Sequence, residues 1–374
     1  MLGPFLETLI GGLLTGVLYS LVALGFVLIF KASGVFNFAQ GAMVLFAALT
    51  VARLTDEIDG KALGLEHFVI AAAILGAALA LVGWYAWREY VARGSGPGER
   101  RRLALLAAGG ALIGGVIAFA YGKGAWPLWV ALAATASIMG LLAYAIERLV
   151  LRHLVNQEGI ILFMATLGIA NFLDGFGQTL WGSDIYTINL GLPKDPIFLF
   201  EGVFPGGLLI DPAELFAAGI AAVLVVVLAV FFQKTRVGRA LRAVADDHAA
   251  AQSVGIPLNT IWLIVWTVAG LVALAAGVIW GAKLGVQFSI SLIALKALPV
   301  LILGGFTSVP GAIIGGLIIG AGEKLSEIFL APILVQAFDL AGGGIENWFA
   351  YMLALIFLLF RPQGLFGERI IERV

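Results

Sequence analysis

"GIILFMATLGIANFLDGFGQTLW", Gly159 to Trp181, contains ten Leu, Ile and Phe residues and one carboxylate. Its length suits a helix crossing about 30 Å of hydrocarbon, because lipid offers backbone N–H and C=O groups no partner outside the helix itself. Ten such residues contribute roughly −3 to −6 kcal/mol to insertion, while one central Asp costs about 2.5 to 3.5 kcal/mol. Asp174 therefore consumes most of the margin. Asn171, Asp174 and Gln178, with Gly168 and Gly175, recur at spacings of three and four and share one helical face. That face suits lipid poorly. Three readings stay open: it lines a wet path for a solute, it hydrogen-bonds inside a bundle, or it lies close enough to the membrane surface to cost little.

Stretches of the same kind recur at 5–30, 36–53, 67–87, 103–121, 126–147, 212–233, 257–281, 292–305, 309–322 and 344–361. The expectation is an all-α polytopic membrane protein, one transmembrane domain over 1–374, with about ten or eleven transmembrane helices, some broken or re-entrant. Two stretches are candidates for broken or re-entrant helices. The first, 36–53, opens on "FNFAQG"; the second, 292–305, is short, carries Lys296 and Pro299, and ends at "GGFTSVPGA".

With 61% hydrophobic and 12% charged residues over 374 positions, no soluble core could hide so much apolar surface. Lys and Arg number 22 against 23 Asp and Glu, so the charge balance gives no footing for nucleic acid. Cysteine is absent, which excludes disulfides and thiolate metal sites, and the three His are scattered; no metal site is expected. The position of charge matters more than its total. Basic residues gather at 88–102, 148–153, 234–242 and after Arg361, while the loop around Asp56 and the long connection from Trp181 to Pro212 are acidic or neutral. By the positive-inside rule the basic loops and the C-terminus face the cytoplasm, and with eleven spans the N-terminus lies outside.

Ser33 and Gly34, followed by Asn37, Phe38, Ala39, Gln40 and Gly41, mark a place where the first helix ends and backbone groups need partners. Asn37 and Gln40 are either part of a solute site at a broken helix, whose free N–H groups can hold a carboxylate, or part of a cytoplasmic turn. Small residues four apart, Gly12 with Gly16, Gly311 with Gly315 and Gly316 with Gly320, allow close helix packing. Lys283, Lys296, Glu323, Lys324 and Glu327 read as snorkelling or surface-paired groups near membrane edges.

The segment 234–256, "KTRVGRALRAVADDHAAAQSVGI", interrupts the apolar pattern. As a helix it puts Val237, Leu241 and Val244 on one side and Arg239, Arg242 and Asp246 on the other. Periodicity alone fits a helix lying on anionic lipid. The sequence from Gly238, however, resembles the cytoplasmic coupling loop of permeases in ATP-binding-cassette importers, matching at Gly238, Ala240, Ala243, Ala249, Ala250 and Gly255, with Arg239 and Arg242 between them. Four further blocks, Tyr19 to Ala48, Ala143 to Leu154, Ala165 to Gly182 and Gly304 to Gly320, are similar in the same order to the branched-chain amino acid permease family. One departure stands out. About 70 residues from Asp56 to Ala125 carry two extra apolar stretches, read as an insertion that leaves downstream orientation unchanged.

The resemblance implies a permease subunit of an importer for branched-chain or related small amino acids, in a bacterial inner membrane. Its implied partners are membrane lipid, a second homologous permease, two ATPase subunits and a periplasmic solute-binding protein. Relatives of this kind also carry urea, short amides and aromatic acids, so the solute is not readable. No P-loop is present, so ATP is expected to bind partner subunits and the chain needs no cofactor of its own. An intramembrane enzyme would need a catalytic constellation, and HExxH and GxSxG are both missing. The other rival, an ion-coupled secondary carrier, would want several buried charges, of which the sequence offers essentially Asp174.

Overall fold

The computed structural model describes residues 2–34, 36–55, 127–154, 157–192, 195–199, 207–246, 248–339 and 344–367. The expected spans 67–87 and 103–121, and with them the whole of the 56–125 insertion, lie outside these residues. Along the chain the helices are α1 (Leu2–Ser33), α2 (Ala39–Thr55), α3 (Leu128–Leu149), α4 (Gly159–Trp181), α5 (Pro212–Lys234), α6 (Arg236–Asp246) and α7 (His248–Ser253). They continue with α8 (Leu258–Leu284), α9 (Ile293–Gly304), α10 (Val309–Leu325), α11 (Ala331–Phe338) and α12 (Ile345–Phe360). A small antiparallel hairpin, β1 (Ile197–Leu199) with β2 (Leu208–Ile210), sits in the Trp181–Pro212 connection, with Phe198 opposite Leu209.

Each of the other nine expected spans coincides with a helix. Among the described residues α1, α3 with the turn after it, α4, α5 and α8 are long and apolar enough to cross a membrane. The segments Phe288–Gly304 and Val309–Phe338 meet at 114°, the shape of either a broken span, which would be the sixth, or a re-entrant loop. Five or six of the expected crossings thus fall among the described residues, and α2, α9 and α12 are shorter apolar helices, in keeping with an all-α polytopic membrane protein that has broken elements.

Helix α1 is apolar on all sides, and a helix of that kind belongs at the centre of a bundle. It packs against α10, α8, α5 and α9. Glycine sets the closest of these contacts. A Cβ on Gly12 would lie 2.8 Å from Ala321 Cα, one on Gly16 2.5 Å from Gly316 O, and one on Gly320 would run into the Gly16 backbone. The pairing falls in one chain as it rises in the other, so α1 and α10 are antiparallel. Gly311 and Gly315 serve the next interface, against Gly304 and Val300 of α9. Helices α2 and α8 run parallel, with Gly277 seated on Val44 and Ala48.

The break between α9 and α10 has local causes. Gly305 takes φ +102, a region that other residues resist. Ser308 then caps α10, its Oγ accepting from Gly311 N at 3.0 Å. Past α12 the chain returns to the same corner, where Leu365 N donates to Leu303 O (2.8 Å) and Phe366 N to Gly304 O (3.1 Å). The tail thereby satisfies two carbonyls that a helix end leaves without partners.

Candidate functional site

Asn37 and Gln40 lie at 0% exposure, well inside the bundle. Asn37 Oδ1 accepts from Ala39 N (3.0 Å) and caps α2; Asn37 Nδ2 donates to Gln40 Oε1 (3.4 Å), and Gln40 Nε2 donates to Ala269 O in α8 (3.4 Å). Gly25 leaves room for the Gln40 amide, since a Cβ there would collide with it. From α4, Thr166 Oγ1 donates to Phe36 O and accepts from Phe38 N, both at 3.3 Å, while the Phe163 ring meets Phe38 edge-on at 4.9 Å. The segment is therefore an interior break rather than an exposed turn. Its polar groups are occupied by protein in this conformation.

Helix α4 has two different sides. Leu162, Thr166, Ile169, Leu173, Gly177 and Trp181 face the bundle. Asn171 and Gln178 point outward and are exposed, with Asp174 half-buried between them, and Gly168 and Gly175 have open space where a Cβ would stand. Asn171 Nδ2 turns back onto Leu167 O (2.9 Å), which relieves one donor. Asp174 Oδ1 is buried and has no hydrogen-bond partner among the described residues. The chain by itself thus leaves a polar stripe on the outside of a membrane-length helix, where hydrocarbon cannot satisfy it.

The 234–256 segment is two helices. In α6, Gly238, Leu241 and Val244 are buried, and a Cβ on Gly238 would strike Phe232 O, so this glycine permits the sharp turn out of α5. Arg242 departs from the face expected for it. Its guanidinium folds back onto the end of α5, Nη1 donating to Phe232 O (2.5 Å) and Nη2 reaching toward Gln233 O (3.5 Å). Arg239 stays exposed, Ala240 and Ala243 are half-buried, and Ala250 is exposed; the side chain of Ala249 lies outside the described residues. Gly255 takes φ +85 and ends α7, and Val254 beside it is 78% exposed. Helix α6 packs on α5, α1 and α8. It thus touches the central helix of the bundle directly.

The sequence reading missed one cluster. Glu323, 6% exposed, accepts from Lys296 Nζ (2.7 Å) and Tyr19 Oη (3.1 Å), which ties α10 to α9 and α1. Tyr19 stacks on Trp280, centroids 5.6 Å apart, and Lys283 lies over the same indole and pairs with Glu214. The expectation of edge placement holds for Lys324 with Glu327, whose side chains are both exposed, but not for Glu323. The available signal was a single Lys in one apolar helix and a Glu in the next.

Comparison with known proteins adds a second kind of finding. Residues 8–93 and 102–361 match the model of a family described as branched-chain amino acid transport system / permease component. The chain is 25% identical over 382 residues to the high-affinity branched-chain amino acid transport system permease protein LivH of Escherichia coli K12, covering 99% of this chain and 98% of that one. It is 26% identical over 374 residues to the corresponding protein BraD of Pseudomonas aeruginosa, with the same coverage. Against the solved structure of PsaBC from Streptococcus pneumoniae with a Fab, the TM-score is 0.43 at 14% identity over 97% of both chains.

Proposed function

The chain belongs to the family of permease components of branched-chain amino acid transport systems, and from that premise we propose how this subunit works. It is the membrane permease of an ATP-driven importer, carrying branched-chain amino acids as the names of LivH and BraD state for those proteins. It stands in a bacterial inner membrane with α6, α7 and the C-terminus in the cytoplasm. A second, homologous permease covers the α4 stripe, and the solute passes between the two along Asn171, Asp174 and Gln178. A periplasmic protein delivers the solute, and two ATPase subunits supply the energy.

The observation that carries the pathway is the outward polar stripe of α4, with Asn171 and Gln178 exposed and Asp174 half-buried between them. A helix in contact with lipid there would leave its amide and carboxyl groups without partners, whereas a facing subunit and a wet cleft satisfy them. Closure of the ATPase dimer moves α6, which is rigid because Gly238, Leu241 and Val244 are packed and Arg242 is bonded to α5. Contacts of α6 with α1 pass the motion to the α1–α2 break, where Thr166 links it to α4. Two packed arrangements of such elements give alternating access.

The test is reconstitution with the cognate binding protein and ATPases, read by ATP-dependent uptake and by competition among amino acids. Arg239→Glu, which alters an exposed charge only, is expected to insert normally, lose the ATPase on purification and abolish uptake. A chain that purifies alone and transports without ATP would place it among ion-coupled carriers instead.

A further inference from the structure

A cavity of about 190 Å³ opens where the last turns of α1 and α5 meet the start of α10. Its inner wall is apolar, formed by residues such as Val27, Ala229 and Phe232, and its rim carries Lys31, Arg242 and Thr307. No Asp or Glu lines it among the described residues. Lys31 makes no ion pair or hydrogen bond among those residues, so one full positive charge faces the cavity uncompensated. Arg242 adds a second, its hydrogen bonds going to neutral carbonyls that leave the charge in place. The positive end of the α10 dipole is offset by the negative ends of α1 and α5 at the same place, so the two side-chain charges set the sign of the cavity.

From this arrangement we infer that the cavity holds the headgroup of an anionic phospholipid, with the phosphate between Lys31 and Arg242 and the first acyl carbons against the apolar wall. The position fits. Lys31 and Gln233 end helices of membrane-spanning length, so the rim lies at the depth of lipid phosphates and the wall continues into the hydrocarbon layer. A free phosphate would use the rim and leave the wall wet, whereas a lipid uses both, and basic pockets between helices at this depth bind anionic headgroups. Arg242 belongs at once to the rim and to the α6 anchor, so an occupied cavity braces the segment that receives motion from outside the membrane.

The importer, purified with its partners, would be titrated with phosphatidylglycerol and, separately, phosphatidylcholine, and bound lipid counted by native mass spectrometry. One positive charge near an anionic lipid corresponds to about a fivefold change in affinity. Lys31→Gln is expected to weaken phosphatidylglycerol binding by that factor and leave phosphatidylcholine binding unchanged; Ala229→Leu, which fills the wall and keeps both charges, should weaken it as well. Millimolar inorganic phosphate should not displace the lipid. Equal binding of the two lipids, indifference to Lys31→Gln, or displacement by inorganic phosphate would each overturn the assignment, and the last would mark a site for free phosphate. The readout is bound lipid and not uptake, so it stands apart from the identity of the solute.

Discussion

Gly11 and Gly316 are both helical glycines, yet a methyl group would meet very different surroundings at each. At Gly11 nothing lies within 4 Å, whereas a Cβ at Gly316 would sit on Ser20 Oγ and 2.6 Å from Gly16 O. Gly316→Ala must push α10 off α1, and overpacking of that kind costs about 1 to 3 kcal/mol. Gly11→Ala should be neutral or slightly favourable, since Ala in a helix loses less backbone freedom than Gly. Thermal unfolding of the two variants in one detergent measures the contrast, and equal melting would mean that α1 and α10 are not closely packed at Gly316. The two arginines of α6 separate in the same way. Arg242→Gln breaks a bond to Phe232 O and is expected to lower the melting temperature by the equivalent of about 1 to 3 kcal/mol, whereas Arg239→Gln, at an exposed site, should change it by less than about 0.5 kcal/mol. Nothing in the spacing of Arg239 and Arg242 distinguishes them. The difference arises because α6 turns back so tightly at Gly238 that only the later arginine reaches the carbonyls of α5.

At the scale of elements, much was legible in the sequence. Hydropathy and length gave Gly159–Trp181 to the residue and α5 to within one, because the cost of an unsatisfied backbone in lipid forces helix throughout each apolar stretch. Breaks were legible at Ser33–Gln40 and Gly304–Ser308, where glycine and polar residues interrupt such stretches. What each break touches was not. Gln40 meets Ala269 and Phe38 meets Thr166 across sequence separations of 229 and 128, and no local pattern encodes those partners. Glu323 was misplaced for a related reason: fifteen residues into a helix reads as a membrane edge only when the helix crosses straight, and here the bend at Gly305 resets the depth. The tail after α12 supplies a test of that bend. Truncation after Arg361 removes the donors at Leu365 and Phe366, so amide exchange should rise across 303–312 and stay unchanged in α3. Unaltered exchange at 303–312 would mean that the bend holds without its brace.

For the whole molecule the decisive issue is what covers α4, and the absence of cysteine from the sequence makes it measurable. A thiol must be in water to ionise and react quickly, whereas in hydrocarbon it stays protonated and inert. Single cysteines placed at Asn171 and Gln178 therefore report whether the stripe faces a wet cleft, and Val226, 60% exposed on the apolar outer side of α5, gives the lipid-facing reference. In the assembled importer, Asn171→Cys and Gln178→Cys should react with a membrane-impermeant thiol reagent, and Val226→Cys should not. Trapping the ATPases closed should change the first two rates in opposite directions if the cleft opens to one side of the membrane as it shuts to the other, since the two residues lie seven positions, or about 10 Å, apart along the helix. Asp174→Asn keeps the shape of the side chain and removes its charge; it should preserve assembly while lowering uptake at saturating solute, if the carboxylate acts on the moving solute and not on subunit packing. Three inert cysteines alike would place α4 against lipid or dry protein. In that case the exposed polar stripe is a packing seam, and the path must be sought along the interior break at Asn37 and Gln40, opened by a larger rearrangement than α6 alone transmits.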